Sequence, residues 1–332
     1  MKKALVTGIC GQDGRYIGEQ LLAKGYQVFG LTRQDEVADI LSGVTMLRGD
    51  LEDHDSLRAT IDRAEPDEIY NLAGVSDLKT AYEFPEKTQE VNYRSVGVLL
   101  EKALTTNPKV RFLQASSSEI FLPASDALNE NSERDWKTEN PYARAKMMTD
   151  RDVIKLARTT RGAFACSAIL FNHESPYSPE KFVTRKITRT LVKIKFGLET
   201  CLSIGNVDEK RDWGFAGDYA EAMIRMLAHT TPEDLVIATG KLHSIRDVIE
   251  ITCGILDIPL VWSGEGIDLT GLDGSGRVIV QIDPTFFKPA APYPKCGNIE
   301  KAKKTIGWEP KVDFETLIEM MVQADLTDLE TK

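Results

Sequence analysis

Residues 5–14 read LVTGICGQDG. Gly8, Gly11 and Gly14 recur every third residue, between an apolar β-branched run (KALVTG, 3–8) and a helix-like segment (14–24). Glycine turns of this kind let backbone N–H groups and a helix N-terminus approach a pyrophosphate, where the helix dipole favours negative charge. A glycine triplet alone is weak evidence. Placed between the first strand and the first helix of a βαβ unit, it predicts a dinucleotide site built by Gly8, Gly11, Gln12, Asp13 and Gly14.

Working outward, short apolar runs continue at 26–32, 44–49, 67–74, 110–116 and 163–172, with helix-like stretches at 55–64, 92–105 and 141–158 between them. Such alternation is the pattern of parallel strands covered on both faces. The expected fold is α/β: a doubly wound parallel sheet with a smaller α/β C-terminal substrate lobe. Residues 1–172 form the dinucleotide-binding domain, with 206–240 returning to it; 173–205 and 241–326 form the substrate lobe. The Gly-rich stretch 263–284 reads as a hairpin. Its Gly274-Ser275-Gly276 lacks the strand-to-helix setting of a phosphate loop.

The chain has 332 residues and a net charge of −10, long enough for one large domain or two associated ones. No basic face is long enough for nucleic acid or an anionic membrane to be the main partner, so an anionic ligand must meet local cations. The five cysteines are scattered, without metal-ligand or redox spacing, and read as reduced cytosolic thiols. No metal site is expected. No segment approaches the roughly 20 apolar residues of a membrane span, and the expected location is cytoplasmic.

At the end of the second strand, an NAD site would carry an acid on the ribose hydroxyls; this chain has Thr32-Arg33-Gln34, followed by Asp35 and Glu36. An arginine attracts a 2′-phosphate that an acid would repel, so NADP is expected, with NAD the alternative and a solvated turn the bland reading of Arg33. Asp50 and Leu51 after the third strand, and Leu72 and Ala73 after the fourth, fall where the adenine and ribose would lie.

NPYARAK (140–146) supplies a cap at Asn140, Pro141 at the first helical position, and Tyr142 and Lys146 on one helix face. A neighbouring ammonium favours phenolate, and a phenolate can take the proton of a carbinol that surrenders hydride to a nicotinamide. Read with ASSSEIF (115–121) at the end of the fifth strand, the pair gains partners: Ser117 reaches the same oxygen. Glu119, on the same side two residues on, reaches a neighbouring carbon. A carboxylate there suits proton abstraction α to a new ketone, which a simple alcohol dehydrogenase does not need.

Through TGICGQDG, PDEIYNLAGVS, QASSSEIF, ILFNHESP, FVTRKITR, GNVDEKRDWGFAGDY and IGWEP, the chain resembles the GDP-mannose 4,6-dehydratases, extended short-chain dehydrogenases with a Rossmann-type sheet, from about residue 3 to 325. The resemblance implies redox-neutral dehydration of a nucleotide-linked sugar: oxidation at C4 with Tyr142, loss of the C5 proton to Glu119 and of water from C6, and hydride return to C6. It also implies that Tyr142, Lys146, Ser76 and His173 contact the cofactor, a satisfied structural histidine being the other reading of His173, and that Ser76, Asn172, Lys186, Arg211 and Lys288 hold the nucleotide sugar. Ser117 stands where the family carries threonine.

Several positions depart from the family. The loop after the second strand, RQDEVADILSG, is short, and Gln34 replaces a second arginine. Tyr177-Ser178 replaces an arginine pair, and Phe287-Lys288-Pro289-Ala290-Ala291 replaces Phe-Arg-Pro-Ala-Glu; the following PYPKCGNIEKAKK also differs. These changes bear on the cofactor phosphate, on the choice between homodimer and homotetramer, and on the base and sugar recognised. An epimerase or 4-keto reductase on the same scaffold, or a dinucleotide-sensing scaffold without turnover, are the alternative readings.

Overall fold

The computed structural model describes residues 1–33 and 41–330; Gln34, Asp35 and Glu36 lie outside the described residues. Strands β1 (Lys3–Thr7), β2 (Gln27–Thr32), β3 (Val44–Arg48), β4 (Glu68–Asn71), β5 (Arg111–Ser117) and β6 (Phe164–Leu170) form one parallel sheet with a seventh strand, Leu235–Ile237. Its order is Leu235–Ile237, β6, β5, β4, β1, β2, β3. The chain winds outward from β1 to β3, crosses back and winds the other way from β4, leaving a crevice at the carboxyl ends of β1 and β4 where such sheets take ligands.

Alternate side chains bury against opposite helical layers. Ala4, Val6, Tyr70 and Leu113 face one layer, and Leu5, Ile69 and Phe112 the other. Helix α1 (Gln12–Ala23) follows β1 and α2 (His54–Ala64) follows β3.

A second core gathers Ile187, Leu191, Leu202, Trp213, Ile249, Val280, Phe314 and Ile318. It lies among helices Val183–Lys195, Ile245–Ile255 and Phe314–Glu330 and a four-stranded sheet. Val261–Ser263, Thr270–Leu272 and Val278–Ile282 run antiparallel in turn, and Leu202–Ile204 adds to the last in parallel. The expected hairpin is the Thr270–Ile282 pair. Its turn is closed by Asp273 Oδ1, which accepts from the amides of Ser275 and Arg277 at 2.9 and 3.0 Å, with Gly276 at φ +82°. Among the described residues no helix is long and apolar enough to cross a membrane, and no His/Cys/Asp/Glu cluster could hold a metal ion.

Candidate active site

The glycine loop is shaped by steric need. Gly8 turns the chain at φ +73°, and a Cβ at Gly14 would fall 2.2 Å from the Gly8 carbonyl oxygen, so α1 packs onto the loop only with glycine there. Helix α1 opens at Gly11 with no capping side chain. Its first N–H groups are thus available to an anion at the positive end of the helix, which fits a dinucleotide pyrophosphate.

Beside it, at the carboxyl ends of β1 to β4, lies a cavity of about 510 Å³ whose walls include Gly8, Arg33, Asp50, Leu51, Ala73 and Ser76. All six were expected at the cofactor or substrate. The amides of Leu72 and Ala73 are committed elsewhere: each donates to Thr7 Oγ1 at 3.0 Å, and Thr7 donates to Asn71 Oδ1 at 2.7 Å.

Gln12 and Asp13 turn their side chains away from the loop's open face. Gln12 Nε2 donates to the His173 carbonyl at 3.1 Å, and Gln12 Oε1 accepts from the hydroxyls of Ser175 and Ser178 at 2.8 and 2.7 Å. His173 donates through Nδ1 to the Phe171 carbonyl at 2.7 Å and through Nε2 to Asp13 at 3.0 Å. Burial opposes its charge, but the Asp13 carboxylate prevails and lifts the imidazole to about 9. Both ring nitrogens of His173 are therefore engaged by protein, and its ring stacks on Tyr219 at 4.7 Å. At the replaced arginine pair, Tyr177 lies 4.8 Å from the Arg15 guanidinium and Ser178 joins the Gln12 network.

The second half of the site sits at the end of β5. Asn140 caps helix Pro141–Met148, its Oδ1 accepting from the amides of Tyr142 and Ala143 at 3.0 and 3.3 Å, with Pro141 in the first turn. One turn apart, Tyr142 and Lys146 point at the strand end, the ammonium 5.7 Å from the phenol ring centre. The lowering expected from the Lys146 ammonium is not seen: burial pushes the Tyr142 hydroxyl up to about 12, a hydrogen bond with Ser117 pulls it down, and the charges of Glu119, Asp13 and Asp150 push it up. Ser117 thus hydrogen-bonds the phenol, while Glu119, carried by the 3-10 turn Ser118–Ile120 rather than by the extended chain expected, acts on it through its charge.

Lys146 Nζ donates to the Ala115 carbonyl at 2.7 Å. Burial lowers its ammonium to about 8, against the opposing charge of Asp150. Asp150 is a functional candidate that sequence reasoning missed. Buried in a π-helical turn (Thr149–Lys155), it accepts from Ser116 Oγ at 2.7 Å and Ser167 Oγ at 2.6 Å, with Arg134 at 3.8 Å. Its spacing of four from Lys146 was the available signal. The other missed partner is Lys295, whose Nζ donates to Glu119 Oε2 at 3.2 Å.

The residues expected at the nucleotide end of the substrate line the neighbouring lobe. Lys186 Nζ donates to the Ser203 carbonyl at 2.7 Å and sits 5.3 Å from the exposed Phe286 ring. The Lys288 carbonyl accepts from Asn206 Nδ2 at 2.9 Å and its residue is exposed. Arg211 is exposed; burial raises the Glu174 carboxyl, and the Arg211 charge is the smallest of the influences that oppose it. Asn172 is exposed at the start of strand Asn172–Glu174, which pairs with Trp213–Phe215.

Residues 5–321 match the family model described as GDP-mannose 4,6 dehydratase. Over 346 residues the chain is 39% identical to GDP-mannose 4,6 dehydratase 2 of Caenorhabditis elegans, covering 99% of this chain and 90% of that protein. Among solved structures, the UDP-glucose 4-epimerase of Thermus thermophilus complexed with NAD superposes with a TM-score of 0.80 at 22% identity, covering 98% of this chain and 99% of the other. RMD of Pseudomonas aeruginosa complexed with NADPH gives a TM-score of 0.76 at 20% identity, covering 98% and 100%. At these identities the two structures establish the fold alone.

Proposed function

The chain belongs to the GDP-mannose 4,6-dehydratase family, and on that premise we propose that it dehydrates GDP-mannose or a close GDP-linked sugar to the 4-keto-6-deoxy sugar, with NADP as resident cofactor. The observation that supports this reading is that Ser117, at the end of β5, hydrogen-bonds the Tyr142 phenol, with Glu119 two residues on and its charge acting on the same phenol.

A nicotinamide, when bound, would supply in its oxidised form a hydride acceptor for C4 and a positive ring that favours phenolate, and in the reduced form so made a hydride donor for C6. Tyr142 removes the C4 hydroxyl proton while Ser117 holds the same oxygen. Lys146, with Asp150 behind it, keeps positive charge beside the phenol. Once C4 is a ketone, the C5 proton is acidified and Glu119 takes it as water leaves C6.

Residues 1–172 with 206–240 would hold the dinucleotide: Gly8, Gly11 and Gly14 at the pyrophosphate, Asp50, Leu51, Leu72 and Ala73 at the adenosine, and Ser76 toward the substrate. Gln12, Asp13 and His173 would brace that loop, which their mutual hydrogen bonds support. Residues 173–205 and 241–326 would form the substrate lobe, with Asn172, Lys186, Arg211 and Lys288 taking the diphosphate and nucleoside. The enzyme would work in the cytoplasm as a homodimer or homotetramer.

The test is to incubate the protein with catalytic NADP and GDP-mannose. Expected is a 4-keto product that absorbs in alkali, formed without net consumption of cofactor. An epimer, or a requirement for stoichiometric reductant and an oxidised sugar, would contradict it.

Arg33 lines the cavity and is exposed at the end of β2, which supports NADP over NAD. A hydrogen bond to a charged group contributes about 1.5–3 kcal/mol, so Arg33→Ala is expected to shift the NADP-to-NAD ratio of KM values by about 10- to 100-fold. An unmoved ratio would remove Arg33 from the 2′-phosphate.

A further inference from the structure

Glu119 is held in an ion pair that the reaction as described above does not use. Lys295 Nζ lies 3.2 Å from Glu119 Oε2, across 176 residues of chain. The lysine is 20% exposed and the glutamate 39%, a setting in which an ion pair adds little to stability.

The backbone carrying Lys295 is nevertheless closely fixed. Leu128 N donates to the Cys296 carbonyl at 2.7 Å and Asn298 N to the Leu128 carbonyl at 2.7 Å. Gly297 N donates to the buried Asp212 at 3.0 Å, and a Cβ at Gly297 would fall 2.2 Å from Ala238 Cβ.

Resting on the assignment of Glu119 as the C5 base, we propose that Lys295 is the acid that protonates the C6 hydroxyl as it leaves. Hydroxide is a poor leaving group, and a carboxylate able to take the C5 proton is acceptor-only, with no proton to give. An ammonium beside it has three donors.

In the step, Glu119 takes the C5 proton and the C5–H electron pair is held as the enolate of the C4 ketone; that pair then becomes the C5–C6 double bond as C6–O breaks. The C6–O pair leaves on oxygen and a Lys295 proton completes the water. Glu119 then returns its proton to the neutral amine across the ion-pair contact. Both groups are restored, water carries away one hydrogen and one hydroxyl, and nothing is oxidised or reduced.

Three readouts separate the roles: reduction of the cofactor by substrate, exchange of the C5 hydrogen in heavy water, and release of the 6-deoxy product. Lys295→Met is expected to keep the first two near wild-type while product release falls about 10²- to 10⁴-fold, the span of general acid catalysis. Lys295→Arg keeps the charge pair, but a guanidinium does not surrender its proton, so the same loss is expected. Product release restored by arginine would reduce Lys295 to orienting Glu119 and overturn the proposal, as would wild-type release in the methionine variant.

Glu119→Gln, run alongside, is expected to lose exchange and release together. If it keeps both, the base assignment fails. If it loses both while the Lys295 variants release product normally, only the acid assignment fails.

Discussion

Tyr142→Phe is expected to lower turnover about 10²- to 10⁴-fold, the contribution of a positioned acid–base group, with melting temperature and dinucleotide affinity close to wild-type. The phenol ring stays in place because Asn140 and Pro141 set the helix that carries it, and the hydroxyl is all that is lost. The reaction then fails at its first step, because the group assigned to take the C4 proton is gone. Ser117 can share that oxygen but is a far weaker base. A steady-state assay with the reduced cofactor monitored in a single turnover checks this: no reduction on mixing with substrate is expected, and reduction at the wild-type rate would show that Tyr142 is not the base.

Glu119→Gln is expected to fail one step later, with a loss of product formation again on the order of 10²- to 10⁴-fold. The amide preserves the shape of the side chain and removes the basic oxygen and the charge that meets Lys295. Oxidation at C4 should survive, because Ser117, Tyr142 and Lys146 are untouched. Removing the Glu119 charge also removes one of the carboxylates that raise the Tyr142 hydroxyl. The two variants thus divide the reaction between two residues that lie at one strand end.

What was legible in the chain follows from how local the governing physics is. The glycine loop could be read because each requirement is met within ten residues: a positive φ at Gly8 and no room for a side chain at Gly14. The helix bearing Tyr142 and Lys146 could be read because its cap, its first-turn proline and its spacing all lie within seven residues of sequence.

Asp150 and Lys295 were not read, because their roles arise only from folding. Asp150 gathers hydroxyls from β5 and β6, and Lys295 reaches Glu119 from the far end of the chain. The π-helical turns at Glu90–Arg94 and Thr149–Lys155 also escaped a 3.6-residue periodicity. For His173 the sequence left two readings, a cofactor contact and a satisfied structural histidine; its ring nitrogens bond to Asp13 and Phe171, partners that only folding brings together.

The central claim is that oxidation at C4 and proton removal at C5 belong to different side chains at the end of one strand. Its most direct test is a single turnover of Glu119→Gln loaded with NADP and mixed with GDP-mannose. The account predicts that reduced nicotinamide rises to one per site and persists, with no 6-deoxy product. Absence of any reduction, or its decay into product at the wild-type rate, would contradict it.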